Sequence, residues 1–446
     1  MIPTSDIVSG GIPSGWRSVP FWSLFRREKK TGYAEEELLS VYRDHGVIPK
    51  SSRDDNHNKP SEDLSGYQLV TEGALVTNKM KAWQGSIAIS RYQGIVSPAY
   101  YVYTPQSDEC DQFLHYLLRS DPYIGLYGRI SKGVRVNQWD LEHEALRNIP
   151  VLLPDLATQR PIADFLDRET ARIDLLIEKK QRLVALLGEK ARSVINQATT
   201  IGFRESETQD SGEKWLGKVA AHWRVSPMKW FIRLQSGYAF KADRFGDVGT
   251  RLVRMNNLKR GALDLEEAVC IADEDVNISV MLRAGDILLG MSGSIGETGS
   301  LGNFAVVMED DLPCLLNQRV GRFQFVGDEL LSDYLKLVIQ SASFLDPIFL
   351  AATSTAQFNV SPSQVGAIMF ALPPLIEQRE LVQEVARRNV GFNRARERSL
   401  VSIDRLKEYR SALITAAVTG QIDVATYAKS GTPDRRLDTI QEEMGV

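Results

Sequence analysis

PDLATQRPIADFLDRETARIDLLIEKKQRLVALLGEKARSVINQATTIG, residues 154–202, opens on a proline, reaches a Gln-Arg pair, and then runs as one amphipathic stretch to a terminal glycine. A second version starts with PPLIEQR at 373–379 and ends with YRSALITAAVTG at 409–420. In the first copy the apolar positions are Ile162, Phe165, Leu166, Ile173, Leu176, Ile177, Leu183, Leu187, Val194 and Ile195. In the second, Phe392, Ser399, Ile403, Leu406, Arg410, Leu413 and Ala417 recur at alternating heptad-like spacing, flanked by Leu400 and Ile414. An apolar stripe of that period on an otherwise charged segment is a helix that needs a partner. About 40 residues at 1.5 Å each give a rod of roughly 60 Å. A lone helix of that length cannot bury its stripe, so each copy is expected to pair with the other rather than to pack independently on its own domain.

Working outward, the rest of the chain is also written twice. IPSGWRSVP (12–20) matches VAAHWRVSP (219–227), and LVTEGALV (69–76) matches LRAGDILL (282–289). FLHYLL places Tyr116 against Tyr334 of LSDYLKL, and RVN places Asn137 against Asn359 of QFN. Pro154, Gln159 and Arg160 match Pro373, Gln378 and Arg379, and Gly202 matches Gly420. Six matches in one order, with a slowly drifting offset, indicate a duplication. The part of each copy before the helix, about 16–153 and 223–372, holds strand-length apolar runs (ALVT, SIAIS, YYVY; GDILLG, AVVM, RVGRFQF) between Gly, Pro, Asn and Asp. Short helical stretches near 109–119 and 328–345 complete a compact α+β domain.

Composition narrows the class. With 446 residues, 43% hydrophobic and 25% charged, the chain is globular and of about three domains. It has no apolar run of spanning length and no secretory signal, and is expected to be cytoplasmic. Cys110, Cys270 and Cys314 are too scattered for a disulfide framework or a zinc cluster. His45, His57, His115, His143 and His222 show no metal-ligand spacing, and no P-loop is present. GMSGSIGETG (290–299) reads as a hairpin or close-approach loop. Asp155 followed by Glu178-Lys179-Lys180 imitates a nuclease motif, but Glu178 and Lys180 fall within the long helix, turns away from Asp155. No catalytic constellation or metal site emerges.

Binding remains. Two similar but non-identical domains on a rigid spacer suit an asymmetric, bipartite duplex site. Basic, amide and aromatic residues interleave in both: Asn78, Lys79, Lys81, Trp83 and Gln84; Arg129, Lys132, Arg135 and Gln138; then Lys241, Arg244, Arg251, Arg254, Asn256, Asn257, Lys259 and Arg260. These are the side chains that meet base edges and phosphates. The net charge of −4 fits a DNA reader less well, unless partners neutralise much of the phosphate. Two other readings stay open, a stand-alone DNA-cleaving enzyme and a two-headed coiled-coil scaffold for proteins.

The order W-R-x-x-P, L-x-x-G-[DA]-[IL], then P-x-x-x-x-Q-R and a long helix, all repeated once over about 12–425, resembles the specificity subunit of Type I restriction–modification enzymes. GYAFKADRF (237–245) and RLVRMNNLKRG (251–261) are especially similar; the first copy has Ala74 where the second has Asp286, and nothing like GYAF. The resemblance implies target recognition domains at 1–155 and 204–374, spacer helices at 156–203 and 375–425 forming an antiparallel coiled coil, and a flexible tail at 426–446. It implies that Gln159, Arg160, Leu183, Leu187, Gln378, Arg379, Ile403 and Leu406 belong to the spacing and partner-docking helices. The partners would be double-stranded DNA, two adenine-N6 methyltransferase subunits and restriction/translocase subunits. S-adenosylmethionine, ATP and magnesium would be theirs, with no cofactor and no catalysis in this chain.

Overall fold

The computed structural model describes residues 4, 7, 11–43, 45–53, 60–135, 138–296, 299–352 and 358–442, the side chains of 134, 135, 138 and 442 excepted. His57 and Asn137, and the side chains of Arg135 and Gln138, therefore lie outside the described residues. The chain forms two units, Met1–Arg182 with Arg398–Val446, and Leu183–Glu397. The two long helices, Leu156–Thr200 and Leu375–Val418, contribute one half each to either unit. The recognition domains and spacers separated in the sequence are thus mixed in the structure: each unit holds one α+β domain and a pair of half-helices.

In the first unit, Arg17–Pro20 pairs antiparallel with Pro150–Leu153, the strand that leads into the long helix. Beside it stands a four-stranded antiparallel sheet in the order Phe25–Glu28, Tyr100–Pro105, Leu75–Asn78, Ile87–Ile89. Two short helices, Asp111–Leu118 and Asp121–Ile130, close one face around the buried Phe113, Leu117, Tyr123 and Tyr127. The second unit repeats the plan. Arg224–Pro227 pairs with Met369–Leu372, and the sheet order is Ile232–Ser236, Val320–Phe325, Ile287–Gly290, Phe304–Val306. The covering helices are Ser332–Val338 and Ala342–Ala351.

The half-helices join each core. In the first unit Ile162, Phe165, Leu166 and Ile173 share a cluster with Leu406, Leu413, Ile414, Ala417 and Val418, and Asp174 pairs with Arg410 at 2.9 Å. In the second unit Ile195 and Ala198 share a cluster with Leu381 and Val385. The stripe on the second helix is buried as expected, with Ile403 and Leu406 inside and Ser399 and Ser402 beside them. The first helix differs. Leu183 is 42% exposed and Leu187 is half-buried. Leu183 falls between Ile173, the last of these buried stripe residues in the first unit, and Ile195, the first in the second.

The tail expected to be flexible is helical, at Val424–Lys429 and Thr432–Glu442. Asp423 caps the first of these through the Thr426 N–H at 2.7 Å. Tyr427 meets Phe165 edge-on, Asp434 pairs with Arg172, and Leu437 is fully buried. Its few apolar residues sit on one face, which the polar composition of 432–442 conceals in sequence. Among the described residues no single helix is long and apolar enough to cross a membrane.

Candidate nucleic-acid interface

The repeated motifs converge on one joint, built twice. The Gln159 carboxamide is fully buried in the first turn of its helix; Nε2 donates to Glu109 Oε2 (2.6 Å) and to the Pro154 carbonyl (3.0 Å). Its Oε1 accepts from the Cys110 N–H (2.9 Å), the residue that starts the first short helix. Gln378 does the same: Nε2 donates to the Glu329 and Pro373 carbonyls (2.7 and 2.9 Å), and Oε1 accepts from the Leu331 N–H (2.9 Å). Arg17 and Arg224 of the two W-R-x-x-P motifs pair with Glu109 and Glu329. Gly202 and Gly420 each end a long helix at φ +70°, where a Cβ would stand 3.2 Å from Trp223 and 3.1 Å from Trp16. Gln159 and Gln378 are therefore internal clamps and cannot meet a partner protein, because every polar atom of each carboxamide is used inside its own unit. Arg160 and Arg379, next to them, are exposed.

Away from the joint each domain opens a cleft beside the turn joining the last two strands of the sheet, faced in the first unit by a strand outside the sheet, Leu39–Tyr42, and in the second by the segment that follows the strand Thr250–Val253. The first, of about 850 Å³, lies between Ser40–Arg43 and the 78–86 turn; Lys50, Tyr67 and Tyr100 complete it. Lys81 and Gln84 line this cleft, and both are exposed. The Tyr100 hydroxyl at its base is pushed above the usual range by burial. The second cleft, of about 500 Å³, lies between Met255–Arg260 and Gly299–Asn303, with Asn256, Lys259, Arg260 and Ser300 in its wall. Arg260 and Gly261 form the two-residue turn of the hairpin Leu258–Lys259 with Ala262–Leu263, both at positive φ (41° and 111°). Tight hairpin turns of this length favour that conformation. In the described part of the glycine-rich 290–299 segment backbone approaches backbone closely: a Cβ on Gly299 would stand 2.2 Å from the Ser294 carbonyl oxygen.

The remaining candidate residues are distributed unevenly. Lys79 points away from the cleft and lies over the Tyr101 ring. Trp83 packs against Trp139 (centroids 5.0 Å apart, planes inclined by 44°) and donates to the Met80 carbonyl. Lys132 pairs with Glu142 at 2.9 Å and Arg244 with Asp275 at 3.1 Å. Arg251 donates to the Leu312 carbonyl (3.3 Å), and Arg254 lies over Phe245. Lys241 is exposed, and the strand Ser131–Arg135 carries Arg135. Asn257 leaves the candidate set. It is 3% exposed, its Oδ1 accepts from the Arg254 N–H (2.9 Å) and its Nδ2 donates to the Asp264 carbonyl (2.9 Å), so it braces the turn that presents Asn256. Asp155 caps the first long helix through the Thr158 N–H (2.8 Å), and the Thr158 side chain, followed by that N–H, holds its carboxyl below the usual range. Glu178 lies 22 residues along that helix, roughly 33 Å away.

Sequence reasoning missed Tyr42, Arg43, Lys50 and Tyr100 in the first cleft and Ser300 and Asn303 in the second. It also missed Arg27, although the basic run FRREKK (25–30) was a signal for it.

Residues 13–185 match the family described as Type I restriction modification DNA specificity domain. The chain is 24% identical over 247 residues to the Type I restriction enzyme MjaVIII specificity subunit of Methanocaldococcus jannaschii, covering 55% of this chain and 56% of that protein. It is 21% identical over 410 residues to the EcoKI specificity subunit of Escherichia coli K12, covering 84% of this chain and 82% of that one. The match to the M. jannaschii subunit thus spans little more than half of its length. A solved structure described as "Structural basis underlying complex assembly and conformational transition of the type I R-M system" shares the fold, with TM-score 0.67 at 15% identity over 92% of this chain and 100% of that one.

Proposed function

We propose that the chain, similar over most of its length to a specificity subunit of a Type I restriction enzyme, is such a subunit and reads a bipartite duplex DNA site, one half with each cleft. The observation that carries this reading is the pair of clefts, each beside the corresponding turn of its sheet and different in side chains. Lys81 and Gln84 occupy one; Asn256, Lys259 and Arg260 occupy the other. Amides and cations are the groups that discriminate base edges in the major groove. Two different sets on one repeated scaffold suit two different half-sites.

The paired helices would set the gap between the half-sites and dock two adenine-N6 methyltransferase subunits, which would bring S-adenosylmethionine. Leu175 and Leu186 (49% and 48% exposed), with Leu400 (43%), are apolar helix positions open for such contacts, and Leu183 joins them. Restriction/translocase subunits would supply ATP- and magnesium-dependent cleavage, leaving this chain to recognition. The exposed clefts favour a DNA reader over a protein-binding scaffold, and the helix-capping role of Asp155 gives a stand-alone nuclease nothing to use.

Selection of bound duplexes from a random-sequence pool tests the proposal. Gln84→Ala or Lys81→Ala should relax preference in one half-site only, and Asn256→Ala or Arg260→Ala in the other only, each base-edge contact costing about 1–3 kcal/mol. Melting temperatures should stay at the parent value, since all four side chains are exposed. Unchanged preference in all four variants would remove the clefts from the interface.

A further inference from the structure

The two sheets correspond strand for strand, so their side chains can be compared position by position. Arg27 faces Tyr103 in the first unit as Leu234 faces Phe323 in the second. The same register sets Tyr101 against Gly321 and, one strand over, Lys79 against Met291. In the second unit this place is apolar and closed. The Leu234 side chain fills the space that a Cβ on Gly321 would need (2.6 Å), and Met291 is 5% exposed.

In the first unit the same place is a cation station. The Arg27 guanidinium stands 4.4 Å from the centroid of the Tyr101 ring, and the Lys79 ammonium 4.7 Å from that same centroid. Lys79 also donates to the Pro98 carbonyl at 2.7 Å. Among the described residues neither cation forms an ion pair with a carboxylate within 4.0 Å. Burial, followed by the Arg27 charge, lowers the Lys79 pKa; Asp140 opposes this from further off. The ring contacts offset part of the mutual repulsion, at about 0.5–1 kcal/mol each for exposed pairs. The fold does not need the charges, since the second unit builds the same strands around Leu234, Gly321 and Met291.

Two cations held against one ring, with no carboxylate within 4.0 Å of either among the described residues, can each give an anion a strong charge-assisted hydrogen bond. The nearest source of one is the ligand of the cleft: Lys79 turns from it but stands just past the strand end at Asn78, and the Pro98 carbonyl that it meets lies between Ser97 and Ala99 of the cleft wall. We infer that Arg27 and Lys79, held over Tyr101, grip a DNA backbone phosphate beside the first cleft, and that the second unit has no counterpart of this grip. The inference rests on the reading of the chain as a duplex-DNA reader. It makes the halves unequal, with the first holding DNA by the backbone as well as by bases.

The test is a salt titration of the full chain on a duplex recovered by binding selection. Each phosphate contact adds about 0.9 to the slope of log affinity against log salt. Arg27→Gln and Lys79→Gln should each lower that slope by up to this amount, so that over a fourfold rise in salt the variant loses about 3.5-fold less affinity than the parent. Selected sequences should be those of the parent, and Arg27→Lys, which keeps the charge, should keep the parent slope. The two Gln variants test the slope separately, so unfolding of one leaves the other to decide. A parent slope in the Gln variants, or a changed half-site in either, overturns the inference. A parent chain that shows no bipartite preference at all overturns the DNA-reading function instead, so the two failures are distinguishable.

Discussion

Around Gln159 and Gln378 the two units use the same chemistry: a buried carboxamide ties a short helix to a long one, an Arg–Glu pair stands beside it, and a tryptophan covers a helix-ending glycine. At the clefts they diverge, with Tyr42, Lys81 and Gln84 in one and Asn256, Lys259 and Arg260 in the other. The joint must satisfy buried donors and acceptors and fit a helix end, so few residues serve, and both copies keep them. The cleft faces solvent, where stability is indifferent to the side chain, so a binding requirement can be written there freely. Residues held in common build the molecule; residues that differ are where its two halves acquire separate roles.

The largest expected effect tests the equivalence of the joints. Gln159→Ala and Gln378→Ala each strand three hydrogen-bonding partners and should cost about 3 kcal/mol apiece, read by denaturant unfolding. A loss under 1 kcal/mol at one site would break the comparison.

A pH effect should separate the units. Burial, with Arg119, Arg91 and Arg410 nearby, lowers the His115 pKa from its ordinary 6.5 to about 3. The unfolded chain therefore binds this proton more readily than the folded one. The contribution is intact above pH 6.5 and declines as pH falls from there toward 3, by up to roughly 1.4 kcal/mol per pH unit. The repeat aligns His115 with Asp333, an exposed residue paired with Lys336, so the second unit lacks this sensitivity. Hydrogen exchange should show the first unit loosening earlier on acidification, and His115→Gln should flatten its pH dependence. Equal loosening of the units in the parent chain would contradict this.

Smaller effects are expected at the helix ends. Gly202→Ala and Gly420→Ala each force a β-carbon into left-handed backbone, at about 1–2 kcal/mol. Gly420→Ala should lose more, because its added carbon also meets Pro13 at 2.8 Å. Thermal unfolding reads the difference, and a larger loss at Gly202 would reverse the ranking.

The same contrast explains what was legible in the sequence. Trp16, Arg17, Gln159, Gly202 and their second copies repeat because each meets a steric or hydrogen-bonding need, so the duplication exposes the joint, the strands and both helices. The clefts do not announce themselves. Tyr42 and Gln84, or Asn256 and Asn303, are distant in sequence and share no periodicity; only the sheet brings them together. Asn256 and Asn257 are alike in composition, yet one lines the cleft and the other is buried as a brace. Leu183 keeps the stripe's spacing but is 42% exposed, and Leu437 is buried although its neighbours are polar. Periodicity reports which face of a helix is apolar, not whether a surface arrives to meet it.

The most direct test replaces residues 223–372 with the corresponding segment of a relative, leaving both long helices and the first unit's cleft untouched. The readout is the set of duplexes selected from a random pool, scored for each half-site and for the gap between them. One half-site should change to the donor's, while the other half and the gap stay those of the parent chain. A change in both half-sites, or in neither, would contradict the assignment of one reader to each unit.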